Sequence, residues 1–198
     1  MKENFELRAL ARTQLRGNWL TAVGVVVVYS VIICASGCVV VGPWVLGGPL
    51  FLGLIGYFLR KAHGESARIE NLFDGFKVFG SGFLLYILNA LFIALWTCLL
   101  IIPGIVKCFS YSMAFFILHD NPEIGALEAI TQSRKMMNGY KGKLFGLCLS
   151  FIGWAFLCCL TFGIGFFWLA PYITLSITNF YEDLKKNQAT TVKYSVIE

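Results

Sequence analysis

The side chains best able to do chemistry in this sequence are seven cysteines, two histidines and eleven acidic residues. All the cysteines lie in apolar tracts, and none forms a CxxC pair that combines with a second pair or with histidines at the spacing of a zinc site. Cys34 and Cys38 would share a helix face, where packing as small apolar residues and redox or metal chemistry both stay open. His63 and His119 form no HExxH pattern. The sequence therefore predicts a non-enzymatic protein without a metal or other cofactor.

Long uncharged stretches surround these residues and indicate an integral membrane protein. The chain has 198 residues, of which 58% are hydrophobic and 14% charged, and its mean hydropathy is +0.73. Residues 17–59 and 144–181 carry no charge, and Lys107 is the single charge within 78–118. Each tract exceeds the roughly 20 apolar residues that cross a bilayer. The net charge of +5 comes from residues flanking these tracts, so we predict membrane lipids as partners, leave a membrane protein partner open and exclude nucleic acid.

The positions of the basic residues predict the topology. Of the sixteen basic residues, all but Lys107 lie in four segments outside the apolar tracts. The positive-inside rule places these segments in the cytoplasm, so each tract crosses the membrane an even number of times. We therefore predict an all-α, polytopic membrane helix bundle of six transmembrane helices, arranged as three hairpins. It would be a multi-pass protein of the plasma (cell) membrane with both termini cytoplasmic.

Glycine and proline mark a candidate turn in each tract. The sequence predicts turns within residues 42–49, at Pro103 and Gly104, and within residues 161–167. A Pro-kinked re-entrant segment stays open as the alternative at Pro103. With a turn there, Lys107 is the only basic residue predicted outside, at the interface where its long side chain can snorkel.

A basic amphipathic helix precedes each hairpin, as in the first, where Leu7, Leu10, Ala11 and Leu15 share a face. These helices can lie among anionic headgroups or cover the cytoplasmic ends of the bundle, and the two roles are compatible. The helix–glycine–hairpin unit recurs, so the single membrane domain of residues 1–198 divides into units of about 1–60, 61–119 and 120–184, with a cytoplasmic tail at 185–198. The basic residues predicted for the interface are Arg8, Arg12, Arg16, Arg134, Lys135 and Lys141.

The apolar tracts also contain polar residues, small residues and tryptophans whose positions suggest roles. Gly53 and Gly56 lack the lysine of a phosphate loop and predict close helix packing. Trp19 is predicted at the inner boundary, Trp44 and Trp168 near outer turns, and Trp96 and Trp154 between helices. The polar residues that could line a cavity or hydrogen-bond across helices are Asn89, Thr97, Tyr111 and Thr174.

Three stretches together resemble one known family. They are "LWTCLLIIPGIVKCFSYSMAFFILHDNPE", "EAITQSRKMMNGYKGKLFGLCLSFIGW" and "TFGIGFFWLAPYITLSITNFYEDL". They closely resemble domain of unknown function 975, a family of bacterial integral membrane proteins, over about residues 95–184 and, less strongly, over 15–23 and 71–79. The family is distantly similar to the membrane domain of some glycerophosphodiester phosphodiesterases, whose catalytic domain we do not find in this sequence. The resemblance implies a bacterial membrane protein and supplies no catalytic residues.

Two functional hypotheses follow from the sequence. Basic interfacial helices beside nearly uncharged spans favour a non-enzymatic membrane protein that interacts with lipids, amphiphiles or membrane partners. The alternative is a transporter or exporter of a hydrophobic or neutral solute, which would use the polar residues of the spans.

Overall fold

The computed structural model describes residues 2–37, 42–99, 101–161 and 163–195, and the regular structure in these ranges is entirely helical, as predicted. One element, Ile69–Val78, is a 3₁₀ helix. The α-helices are α1 (Asn4–Leu15), α2 (Trp19–Ser36), α3 (Gly42–Ala62), α4 (Phe79–Leu99), α5 (Ile101–Tyr111), α6 (Ala114–Asp120), α7 (Ala126–Met136), α8 (Lys141–Leu149), α9 (Ile152–Leu160) and α10 (Phe166–Ser195).

The outer surface of the molecule is apolar, as expected for a protein embedded in a membrane. Large apolar side chains point outward, including Leu20 at 85% exposed and Phe156 at 67% exposed. A water-soluble monomer does not expose so much contiguous apolar surface. Within the described residues, four stretches are long and apolar enough to span a bilayer: Trp19–Ser36, Gly42–Ala62, Ile69–Cys98 and Lys141–Leu160. The structure therefore supports a membrane-embedded helical protein.

Helix α3 lies at the centre of the bundle. In its most apolar stretch 67% of the residues are buried, compared with 17% in α2. Its glycines permit this burial, because a Cβ atom on Gly53 would lie 1.8 Å from the carbonyl oxygen of Leu72 in the 3₁₀ helix. The close packing predicted for Gly53 and Gly56 is confirmed. The turn predicted within residues 42–49 is wrong, since these residues form the first turns of α3. Gly47 and Gly48 here allow contact with Tyr86 and Gly82 of α4 rather than a chain reversal.

Helices α4 and α5 pack side by side in opposite directions. Thr97 lies against Gly104, and the rings of Phe92 and Tyr111 have centroids 6.2 Å apart. The chain direction is therefore already reversed in α5, and Pro103 and Gly104, where the turn was predicted, belong to the first turn of that helix. Proline is well suited to a first helical turn, where its missing N–H costs no hydrogen bond.

The third predicted turn is confirmed. Helix α9 ends at Leu160 and α10 begins at Phe166, with Gly163 between them at a φ of 84°. Residues with side chains rarely adopt this left-handed conformation. The ring centroids of Phe151, the residue before α9, and Tyr172 of α10 lie 5.3 Å apart. Helix α10 therefore runs back along α9.

The amphipathic segments differ in how far they match prediction. In α1, Leu7, Ala11 and Leu15 are fully buried, which confirms the predicted face for these three residues, while Leu10 is only partly buried. The segment before α4 is a 3₁₀ helix, so the predicted α-helical face is split and Phe73 is 49% exposed. Before α8, helix α7 buries Ala129 and Ile130 on one face, as expected of an amphipathic helix.

An ionic contact joins α6 to α10. The carboxylate of Asp120 accepts hydrogen bonds from the Tyr181 hydroxyl, at 2.8 Å, and from the Lys185 ammonium, and the His119 ring lies 3.8 Å away. Burial by itself would raise the pKa of the Asp120 carboxyl, but His119, Lys185 and Tyr181 outweigh it and lower the pKa from 3.8 to about 2.

Acid is expected to weaken this contact. Because the pKa of Asp120 is lower in the folded state, its carboxylate stabilises the fold above pH 3.8, and the stabilisation is lost as the pH falls towards about 2. Asp120→Asn should lower the free energy of unfolding by about 2 kcal/mol at pH 7, measured by thermal unfolding in detergent. Glu128→Gln is the control, since the Glu128 carboxylate is exposed and accepts a hydrogen bond from the Gln132 amide on the same helix. An equal loss in both variants would contradict this assignment.

Candidate functional site

The buried face of α1 fixes the direction of its arginines. With Leu7, Ala11 and Leu15 packed into the bundle, Arg8 and Arg12 extend over aromatic rings of the last hairpin. The guanidinium carbon of Arg8 lies 6.0 Å from the ring centroid of Phe151, and that of Arg12 lies 5.9 Å from the ring centroid of Tyr172. Cation–π attraction at these distances favours this placement of both side chains.

Beside Arg12 lies an apolar cavity of about 360 Å³. It opens between the start of α2 and the hairpin of α9 and α10. Among its described lining residues, Arg12 alone carries a charge, and three indole rings supply much of the wall. The full lining is Arg12, Trp19, Trp154, Cys158, Gly165, Trp168, Leu169 and Tyr172. An apolar pocket with one charged group at its edge has the shape and polarity that an amphiphile requires.

The tip of the last hairpin is closed tightly at the base of this cavity. A Cβ atom on Gly165 would lie 2.7 Å from the Cys158 sulfur and 3.1 Å from the Cys158 Cα. The absence of a side chain at Gly165 thus lets α9 and α10 approach at this level. Their approach brings Trp154 and Trp168, from the two helices of this hairpin, to the lining of one cavity.

A second, more polar space adjoins the first. It has a volume of about 470 Å³ and is lined by Arg12, Thr13, Arg16 and Trp19. Arg12 and Trp19 belong to both linings, so the two spaces are adjacent, and the second adds the guanidinium group of Arg16. We call the two spaces together the Arg12 cavity. Its two parts can accommodate an acyl chain and an anionic group, respectively.

The sequence predicts separate locations for the three tryptophans that together line the Arg12 cavity. Trp19 was predicted at the inner boundary and Trp168 near an outer turn, yet both line the same cavity. Trp154 was predicted between helices and is 47% exposed. The cause is the path of α1, which lies along the last hairpin and delivers the start of α2 to the turn between α9 and α10. The arginine ridge of α1 was visible in the sequence, whereas its aromatic partners were not.

The polar candidates of the spans are not brought together. The hydroxyls of Thr97 and Thr174 donate to the carbonyl oxygens of Ile93 and Ala170 within their own helices. Tyr111 is buried against Phe92. Asn89 in α4 keeps a buried side-chain oxygen without a hydrogen-bond partner among the described atoms. None of these four residues lines the Arg12 cavity.

Lys107 lines the same cavity as three basic residues from which the charge pattern separated it. The charge pattern placed it outside, apart from the cytoplasmic Arg134, Lys135 and Lys141, but the four line one cavity of about 380 Å³. Groups around one such cavity cannot face opposite sides of a bilayer core of about 30 Å. Buried Ser133 of α7 contributes to this grouping, since its hydroxyl donates to the Ser110 carbonyl of α5 at 2.8 Å.

The geometry of the described residues does not support metal binding or disulfide formation. Among the described residues, no three His, Cys, Asp or Glu side chains come close enough to hold a metal ion. The described cysteines are free thiols. The predicted pair of Cys34 and Cys38 cannot be placed, because Cys38 lies outside the described residues.

Comparison with known proteins identifies a family for part of the chain. Residues 98–188 match the family described as "Protein of unknown function (DUF975)". The resemblance found over about residues 95–184 is thereby confirmed, whereas residues 15–23 and 71–79 lie outside the match. No curated protein and no solved structure matches the chain, so the distant similarity to glycerophosphodiester phosphodiesterases stays a prediction.

Proposed function

Because the chain carries the DUF975 region, whose function is unknown, we propose from its own geometry that it is a non-enzymatic membrane protein that binds an anionic amphiphile in the Arg12 cavity. The observation that carries the proposal is the apolar cavity of about 360 Å³ with Arg12 at its edge. An acyl chain in this cavity would contact the indoles of Trp19, Trp154 and Trp168. Its anionic head would lie between Arg12 and Arg16.

The surroundings of the cavity support a lipid as the occupant. The exposed surface of α9 and of the turn after it is strongly apolar, with Leu160 at 65% and Ile164 at 63% exposed. A lipid held here would therefore continue into the acyl region of the bilayer. Basic side chains beside an apolar surface are typical of sites for anionic lipids.

The same charge pattern supports a topology for the proposal. We place both termini in the cytoplasm and the apolar helices in the plasma membrane of a bacterium, because fifteen basic residues lie in the four segments outside the apolar tracts. The six predicted spans are not retained, since Arg12 and Trp19 from the inner side line one cavity with Gly165 from the turn predicted outside. The grouping of Lys107 with Arg134 and Lys141 removes Lys107 as evidence for an outer loop. A transporter gains less support, since the four polar candidates line neither part of the Arg12 cavity.

Lipid competition tests the proposal. Native mass spectrometry of the protein released from mixed micelles should show more bound dioleoyl phosphatidylglycerol than dioleoyl phosphatidylcholine. Arg12→Gln should lower this preference roughly three- to tenfold, since a charge-assisted contact is removed. Lys77→Gln removes the same charge from an exposed residue paired with Asp74, outside the cavity, and should leave the preference intact. Equal binding of both lipids by the wild type would overturn the proposal.

The acyl part of the site has its own matched pair of variants. Trp154→Ala removes part of the cavity wall and should reduce retention of both lipids alike. Trp44→Ala removes a similarly exposed indole that does not line the Arg12 cavity and should have little effect. If both substitutions reduced retention equally, binding would be a property of the apolar surface as a whole.

A further inference from the structure

We propose that the cavity lined by Lys107, Arg134, Lys135 and Lys141 is a binding site for a phosphate-type oxyanion. We call it the basic cavity. It shares no lining residue with the apolar cavity at Arg12. This proposal goes beyond the proposed function, and either can fail while the other stands.

Four cations converge on the basic cavity from three helices. Lys107 comes from α5, Arg134 and Lys135 from the last turn of α7, and Lys141 from the first residue of α8. Basic residues in a last helical turn are commonly explained by the helix dipole. That explanation covers the two residues of α7, but it does not bring Lys107 and Lys141 to the same place.

The positive charge of the basic cavity is not balanced within the protein. Across the described parts of the chain, no acidic side chain forms an ion pair with any of the four cations. Like charges held around one cavity repel each other. A bound anion would relieve this repulsion, and a phosphate group offers several oxygens to a guanidinium and three ammonium groups.

The basic cavity is also positioned by specific contacts. The ammonium nitrogen of Lys107 lies 4.5 Å from the ring centroid of Trp96, which favours one direction of a flexible side chain. Ser133 attaches the last turn of α7 to α5 through the Ser110 carbonyl. Ser110, Thr131 and Asn138 complete the lining. A volume of about 380 Å³ lies at the small end of ligand sites, which suits a phosphate or diphosphate group.

The phosphate could belong to a soluble ion or to a lipid head, and two probes distinguish these sources. Purified protein in an uncharged detergent would be titrated with inorganic pyrophosphate, and separately with dihexanoyl phosphatidic acid below its micelle concentration, at constant ionic strength. We expect saturable heat in calorimetry and a rise in Tm. Binding of pyrophosphate assigns a soluble phosphate ligand. Binding of dihexanoyl phosphatidic acid alone assigns a lipid head.

A charge-matched pair of double variants makes the result specific. Arg134→Gln with Lys135→Gln changes two exposed side chains, so the fold should persist, with a Tm equal to or above that of the wild type. Its affinity for the probe should fall at least tenfold. Arg68→Gln with Lys77→Gln removes the same charge elsewhere and should leave affinity unchanged. The proposal is overturned if neither probe binds the wild type, or if both double variants lose affinity equally.

Discussion

Gly53→Ala is expected to abolish the folded protein. The added Cβ atom would lie 1.8 Å from the carbonyl oxygen of Leu72 and 2.6 Å from its carbonyl carbon. Both are backbone atoms of the 3₁₀ helix, so no side-chain rotation can relieve the clash. Overpacking a core commonly costs about 1–3 kcal/mol, and a clash with backbone in the central helix should exceed that. Size-exclusion chromatography after mild detergent extraction should show aggregate in place of the wild-type peak.

The control for Gly53 is another glycine within a helix. A Cβ atom on Gly153 in α9 would meet nothing within 4 Å, and alanine is favoured over glycine in a helix by about 0.5–1 kcal/mol. Gly153→Ala should therefore elute as the wild type does, with an equal or higher Tm. If Gly53→Ala eluted in the same way, the packing of the 3₁₀ helix against α3 would be incorrect.

Gly53 also shows how far sequence can predict this fold. Small residues in an apolar tract indicate close packing, and that prediction is confirmed. Sequence cannot say which element approaches, because that depends on tertiary structure. The same limit explains why the prediction of a turn within residues 42–49 is wrong. Gly47 and Gly48 look like turn residues locally, yet their contacts with α4 place them in α3.

The candidate sites were predictable only in part, for a similar reason. The arginines of α1 follow a helical period, so Arg12 and Arg16 could be assigned to one basic ridge. Of the indoles that complete the Arg12 cavity, Trp19 in α2 is remote in sequence from Trp154 and Trp168 in α9 and α10, and no local pattern joins them. For Lys107, the positive-inside rule counts charges along the chain, but it does not detect the hydrogen bond by which α7 reaches α5.

Ser133 was not identified from sequence, and its substitution should have the second-largest effect. Its side chain is completely buried. The hydroxyl donates to the Ser110 carbonyl oxygen at 2.8 Å and accepts from the Met113 N–H at 3.2 Å. These two backbone groups flank the break between α5 and α6, where a continuous helix does not satisfy them. The Ser133 hydroxyl thus supplies a hydrogen-bond partner both for the Met113 N–H and for the Ser110 carbonyl oxygen, which are buried away from water.

Ser133→Ala is therefore expected to destabilise the protein by about 2–4 kcal/mol, because a buried polar group left without a partner costs about 1–3 kcal/mol. Thermal unfolding in detergent should show a clear drop in Tm. Thr131→Ala is the control on the same helix for the Tm measurement alone, because Thr131 also lines the basic cavity. Its hydroxyl donates within α7 to the Leu127 carbonyl, so the Tm should change little. Pyrophosphate affinity should also fall in Ser133→Ala, because α7 loses its attachment to α5. Equal Tm values for the two variants would remove the structural cause given for the grouping of Lys107 with Arg134.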